Sequence, residues 1–164
     1  MGLYGVLACS AMSTPKKETM NDTLSMIMTI ADQLSTMRSP DAAAVGRVAH
    51  LSFKADGAPN EYYRYYQATE GQAPFVTGEL RLPQSENRSK PTILILQVQG
   101  GPLVTARQTQ QRMNAYPTAI PPSPTGPVDT YQHVYQYKEV KLSFEFSSDK
   151  DELKTVTLSV VQNN

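Results

Sequence analysis

The spacing of apolar residues changes its period once along the chain. From Thr23 to Met37, Leu24, Ile27, Met28, Ala31 and Leu34 recur at three- and four-residue intervals, one stripe of an α-helix. Asn21 or Asp22 suits the start, where a side-chain oxygen accepts a free N–H of the first turn. Ser39-Pro40 stops it, because the residue before a proline is pushed out of the helical region. Met20, Met26, Ile30 and Met37 widen the apolar face, so the helix is expected to be covered on more than one side. A Met-rich stripe also suits an adaptable binding face, but packing into a core is the preferred assignment. The stretch "SPDAAAVG" predicts one short helical turn, with Ser39 as cap, Pro40 at the first position and Gly46 as the stop.

Beyond Gly46 the period is two. Ala49, Leu51 and Phe53 alternate with His50, Ser52 and Lys54, the pattern of a half-buried strand. "DGAPNE" is turn chemistry, and Tyr62, Tyr63, Arg64, Tyr65 and Tyr66 form a β-prone run. Val76, Gly78, Leu80 and Leu82 alternate with polar residues until Pro83. "TILILQVQ" is aliphatic on both faces at first, which predicts a central strand. "RQTQQRMNAY" predicts a short helix, and "PTAIPPSPTGP", Pro117 to Pro127, an extended polyproline-type loop. Tyr131, His133, Tyr135 and Tyr137 hold odd positions, whereas Val140, Leu142, Phe144 and Phe146 hold even ones, so a bulge or bend is expected near Lys138-Glu139. "SSDKDE" turns the chain, and Val156, Leu158 and Val160 alternate in a last strand. The expected fold is α+β and mainly β: an N-terminal helix, then an antiparallel β-sandwich or strongly curved sheet of about six or seven strands.

Composition narrows the function classes. The 164 residues suit one domain. Lys+Arg and Asp+Glu both number 15, so a chain without a basic block gives no electrostatic reason to bind nucleic acid. Its single cysteine, Cys9, excludes an internal disulfide and a Cys-based zinc site.

The surroundings of that cysteine are its most specific feature. Gly2 to Ala8 is a short apolar run, and Ser10 to Asp22 is polar and carries Pro15. Val6-Leu7-Ala8-Cys9 resembles the lipobox of a bacterial lipoprotein signal: an aliphatic residue three before the cysteine and a small one just before it. It departs from the usual form in the bulk of Leu7 and in lacking a basic residue ahead of the apolar run. The resemblance covers these four residues and implies that residues 1–8 are a signal-peptide remnant and that Cys9 is acylated. Ser10 then implies transfer to the outer membrane, with the domain on its periplasmic face. Each buried acyl CH2 contributes about 0.8 kcal/mol, so two or three chains anchor firmly. Residues 9–22 would form the lipidated cysteine and a flexible tether, and residues 23–164 a single globular domain. The alternative for Cys9 is an ordinary free thiol.

Catalytic parts are scarce. The only histidines are His50 and His133, and no G-x-S-x-G, H-E-x-x-H or phosphate-loop pattern occurs. Nothing in the spacing of His50, His133 and Asp129 requires a metal. Asp149, Asp151 and Glu152 lack the glycine and distal Glu of an EF-hand loop, so a solvated turn is expected there. No cofactor, metal or catalytic residue is therefore expected. The tyrosines suit recognition, since an exposed Tyr gives large contact area at low entropic cost. Tyr62, Arg64, Tyr66, Tyr131 and Tyr135, with Ile120 and Pro122 of the Pro-rich loop, are the expected partner-binding residues, although cross-strand Tyr pairs also simply stabilise sheets. The expected function is a non-catalytic envelope lipoprotein that binds a protein or plays a structural role. The alternative is a periplasmic or secreted inhibitor or immunity-type protein that uses loop 117–127 and the Tyr-rich strands.

Overall fold

The structure, a computed structural model, describes residues 20–85, 87, 89–100, 103–121 and 130–161, with side chains from Thr23 onward. Two helices come first, α1 (Met20–Thr36) and α2 (Ala42–Ala49). Four strands follow: β1 (Lys54–Ala55), β2 (Tyr63–Ala68), β3 (Phe75–Pro83) and β4 (Thr92–Val98). A third helix, α3 (Ala106–Met113), leads to β5 (Thr118–Ile120), β6 (Thr130–Tyr137), β7 (Val140–Ser147) and β8 (Leu153–Val160). All eight strands form one antiparallel sheet in the order β1-β2-β3-β4-β8-β7-β6-β5. It consists of two four-strand meanders joined where β4 meets β8, so "TILILQVQ" does supply a central strand.

Strand register explains the core. Tyr66, Leu80, Leu94, Leu158, Leu142 and Tyr135 are successive cross-strand partners, one row across six strands. The next row is Ala68, Gly78, Leu96, Val156, Phe144 and His133. Side chains alternate across a strand, so both rows lie on one face. The four leucines of the first row are fully buried, as are Ile27, Ala31 and Leu34 of α1. Each such Leu or Ile contributes about 1.5–3 kcal/mol on leaving water. α1 packs on β7 and β8, and α2 on β3.

Two glycines permit this packing. A Cβ on Gly78 would lie 2.8 Å from Leu51 Cδ1, so its absence lets Leu51 and Phe53 lie against β3. A Cβ on Gly46 would lie 2.5 Å from the Leu51 carbonyl oxygen, and Leu51 N–H donates to the Gly46 carbonyl at 2.9 Å.

Several expectations change. The fold is α+β and mainly β, but the described residues form one open sheet of eight strands, not a sandwich. The apolar buried residues of the central strands fall on one parity only, so their second face offers no second core. The short turn at "SPDAAAVG" is a two-turn helix capped by Asp41, whose side chain accepts from Ala44 N–H at 2.7 Å, and Gly46 lies inside it. Ala49–Phe53 is not a strand. Ala49 ends α2, His50 takes the left-handed cap position at φ 55°, and the apolar side chains of Leu51 and Phe53 cover Gly78. The parity switch near Lys138-Glu139 is a two-residue hairpin, with Tyr137 opposite Val140 and Lys138 at φ 51°. One bent strand thus becomes two. Thr118–Ile120 of the Pro-rich stretch forms an edge strand, the one place where flanking prolines are tolerated. α1 includes Asn21 and Asp22, the two residues expected to cap it.

Candidate binding face

The second face of the sheet is built from the alternate residues of the same strands. β4 contributes Ile93 and Ile95, β8 contributes Thr155, Thr157 and Ser159, and β7 contributes Lys141, Ser143 and Glu145. None of these side chains is buried, and no described helix covers them. A groove of about 260 Å³ runs along this face. Its floor holds the hydroxyls of Ser143, Thr157 and Ser159, and branched apolar side chains, Ile93, Val134 and Ile120, stand along it. Ser143 Oγ donates to Gln132 Oε1 at 3.2 Å, and Thr130 Oγ1 donates to Glu145 Oε1 at 2.8 Å. Lys141 and Glu145 give it one charge of each sign. Towards β2, the Arg81 guanidinium stands over the Tyr65 ring at 5.9 Å and pairs with Glu79. Short hydroxyls, amides and isolated branched side chains recognise by hydrogen bonding and shape.

The structure distributes the expected partner-binding residues unevenly. Cys9 and Pro122 lie outside the described residues, as does Asp129. Ile120 lies on the groove and is 45% exposed. Tyr62 is exposed just before β2, with Lys90 Nζ 5.1 Å from its ring centroid. Arg64 is exposed, but the guanidinium that stacks on a tyrosine is that of Arg81. Tyr66 is half-buried against the core. Tyr135 is corrected most clearly: it is 3% exposed, opposite Leu142, with its ring edge-on to Phe144 at 5.8 Å. The odd positions of β6 pair with the apolar positions of β7, so Tyr131, His133, Tyr135 and Tyr137 belong to the helix-covered side. Its burial pushes the Tyr135 hydroxyl pKa up, and that hydroxyl has no partner among the described residues. Ser143, Thr157 and Ser159 were not singled out by sequence, since small hydroxyls carry no motif. The strict alternation Thr155, Thr157, Ser159 is the signal that marks an unburied face.

A polar cluster sits on the covered side where β6 begins, next to the turn between β7 and β8. The Tyr131 hydroxyl donates to Asp151, and the Tyr131 ring stacks on Phe146 at 5.5 Å. Asp151 Oδ1 also accepts from Ala106 N–H at 3.4 Å, at the start of α3, where Thr105 and Gln108 form a reciprocal capping box. Burial, then the hydrogen bond to Asp151, pushes Tyr131 up to about 12. Burial pulls His133 below its ordinary value, while the Asp151 charge acts the other way. His133 Nδ1 is buried without a partner among the described residues. The bonds of Tyr131 and Asp151 join three elements, which is an architectural role. Among the described residues no three His, Cys, Asp or Glu side chains are grouped to hold a metal, and His50 lies apart at the end of α2.

No protein-family model and no curated protein matches the chain. A DUF4309 family protein, YjgB, from Bacillus subtilis subsp. subtilis str. 168 has a crystal structure similar to this one at a TM-score of 0.43 and 11% identity, covering 83% of this chain and 96% of that chain.

Proposed function

We propose that the protein is a non-catalytic, lipid-anchored protein of the bacterial cell envelope that binds a protein partner on the open face of its sheet. The observation behind the binding role is the uncovered face: a groove of Ser143, Thr157 and Ser159 flanked by Ile93, Val134 and Ile120. Support for the anchor is the lipobox-like Val6-Leu7-Ala8-Cys9 followed by a polar segment. Acylation would place the protein at the outer membrane, facing the periplasm. The inhibitor or immunity-type alternative draws support from Ile120 of the Pro-rich stretch, which is exposed and lines the groove.

Two measurements test the proposal. Mass spectrometry of the membrane fraction is expected to find an acylated Cys9 at the new N-terminus; an unmodified full-length soluble chain would refute the anchor. A photo-crosslinking residue at Thr157 is expected to capture a protein partner in cells, whereas one at exposed Gly57, away from the groove, is not. Equal yields from both positions would refute the binding face.

A further inference from the structure

We infer that α3 and the segment after it form a second site, which binds an acidic saccharide. The site is separate from the sheet groove and does not rest on the proposed function. An open cavity of about 390 Å³ is lined by Arg107, Gln110, Gln111, Asn114, Ala115 and Tyr116. That volume is in the range of sites that take small molecules. Arg107 and Gln111 are one helical turn apart, as are Gln110 and Asn114, so four planar polar side chains form two adjacent rows. None of these four side chains has a hydrogen-bond or ion-pair partner among the described residues. Tyr116 is 92% exposed, which leaves its ring faces free.

The backbone fixes the relation between these groups. Asn114 takes the left-handed conformation at φ 49°, and its N–H donates to the Gln110 carbonyl, which ends α3. Tyr116 precedes Pro117, so its backbone is restricted to extended conformations. An exposed aromatic ring on a residue of restricted backbone therefore stands beside a row of amides on a capped helix.

The chemistry selects the ligand. An aromatic face with free amides suits a sugar ring, whose C–H surface stacks and whose vicinal hydroxyls donate and accept. Arg107 lines the cavity and, among the described residues, no acidic one does, so charge selects an anion. The Arg107 fork matches a carboxylate bidentately. Arg107 lies in the first turn, where the helix dipole favours negative charge, and Asn114 lies at the carbonyl end, which favours hydroxyl donors. The eight residues of α3 span about 12 Å, room for two or three sugar rings with the carboxylate at the Arg107 end.

The test is calorimetry on the full chain with trigalacturonate, maltotriose and inorganic phosphate. Trigalacturonate is expected to bind at least roughly tenfold more tightly than maltotriose, one bidentate carboxylate contact being of that order. Arg107→Gln is expected to remove that preference, Tyr116→Ala to weaken both sugars, and Tyr116→Phe to keep binding, with melting temperatures unchanged because both positions are exposed. Absence of trigalacturonate binding at millimolar concentration overturns the proposal, as does unchanged affinity in Arg107→Gln and Tyr116→Ala. Equal affinity for maltotriose overturns the acidic class, and equal affinity for phosphate overturns the saccharide.

Discussion

The Tyr131 hydroxyl donates to the carboxylate of Asp151, so a single hydrogen bond ties β6 to the turn between β7 and β8. Asp151 is placed for it by an unusual backbone. Its φ is 52°, and its N–H donates to the Ser147 carbonyl at 2.9 Å. The same carboxylate meets the first N–H of α3, so β6, the turn and the helix share one acceptor.

That bond predicts an alkaline limit. The Tyr131 hydroxyl is pushed from 10.0 to about 12. The folded state holds the proton more tightly than the unfolded chain, so this contribution is complete below pH 10 and is lost as pH rises through about 12. Tyr131→Phe is expected to cost about 1 kcal/mol at neutral pH, a hydrogen bond to a charged group discounted for partial exposure. It is also expected to flatten the decline between pH 10 and 12. Chemical denaturation at pH 7 and across the alkaline range checks both; an alkaline slope identical to wild type would separate Tyr131 from that decline.

His133 predicts the acid side. Its ring packs against Tyr131 at 5.3 Å and Phe146 at 5.7 Å, with Asp151 the charged group that acts on it. Burial lowers its folded pKa below 6.5, so the unfolded chain takes up the proton first as pH falls. The stability tied to the neutral ring is therefore full above about pH 6.5 and is lost as pH falls towards the folded value. His133→Phe is expected to retain more of its melting temperature than wild type as pH falls below 6.5. Parallel curves for the two proteins would remove His133 from the acid response.

Gly46 predicts a reversed sign. Alanine in place of glycine inside a helix ordinarily stabilises by about 0.5–1 kcal/mol. Here the added Cβ would lie 2.5 Å from the carbonyl oxygen of Leu51, the residue whose N–H closes the α2 exit on the Gly46 carbonyl. Gly46→Ala is expected to destabilise by about 1–3 kcal/mol, the range for overpacking. A denaturation midpoint at or above wild type would mean that α2 and Leu51 are further apart than the packing requires.

Much of the fold was legible because alternation is a local signal. Leu142, Phe144 and Phe146, and Val156, Leu158 and Val160, marked their buried faces without reference to any partner. What failed depended on long-range contact. Leu51 and Phe53 alternate like a strand, but their apolar side chains cover Gly78, about 25 residues further along the chain. Gly46 has the composition of a helix stop, yet only the approach of Leu51 explains why it sits inside the helix. The tyrosines of β6 gave a face but not its side: which parity is covered depends on the register with β7. The candidate groove was the least legible, because Ser143, Thr157 and Ser159 are ordinary strand residues until β7 and β8 are set side by side.

Neighbours on β8 give the sharpest test of a sheet covered on one side. Leu158 is fully buried between Leu94 and Leu142, so Leu158→Ala removes a packed side chain and leaves a cavity. The expected cost is about 2–5 kcal/mol. Thr157, one residue away, faces the groove between Ile95 and Ser143 and is not buried. Thr157→Ala is expected to cost about 0.5 kcal/mol or less, as at other positions outside the core. Urea denaturation of the two variants reads the difference directly. Comparable losses at both positions would mean that something packs on the second face in solution. The groove would then belong to the core of a larger assembly rather than to a surface awaiting a partner.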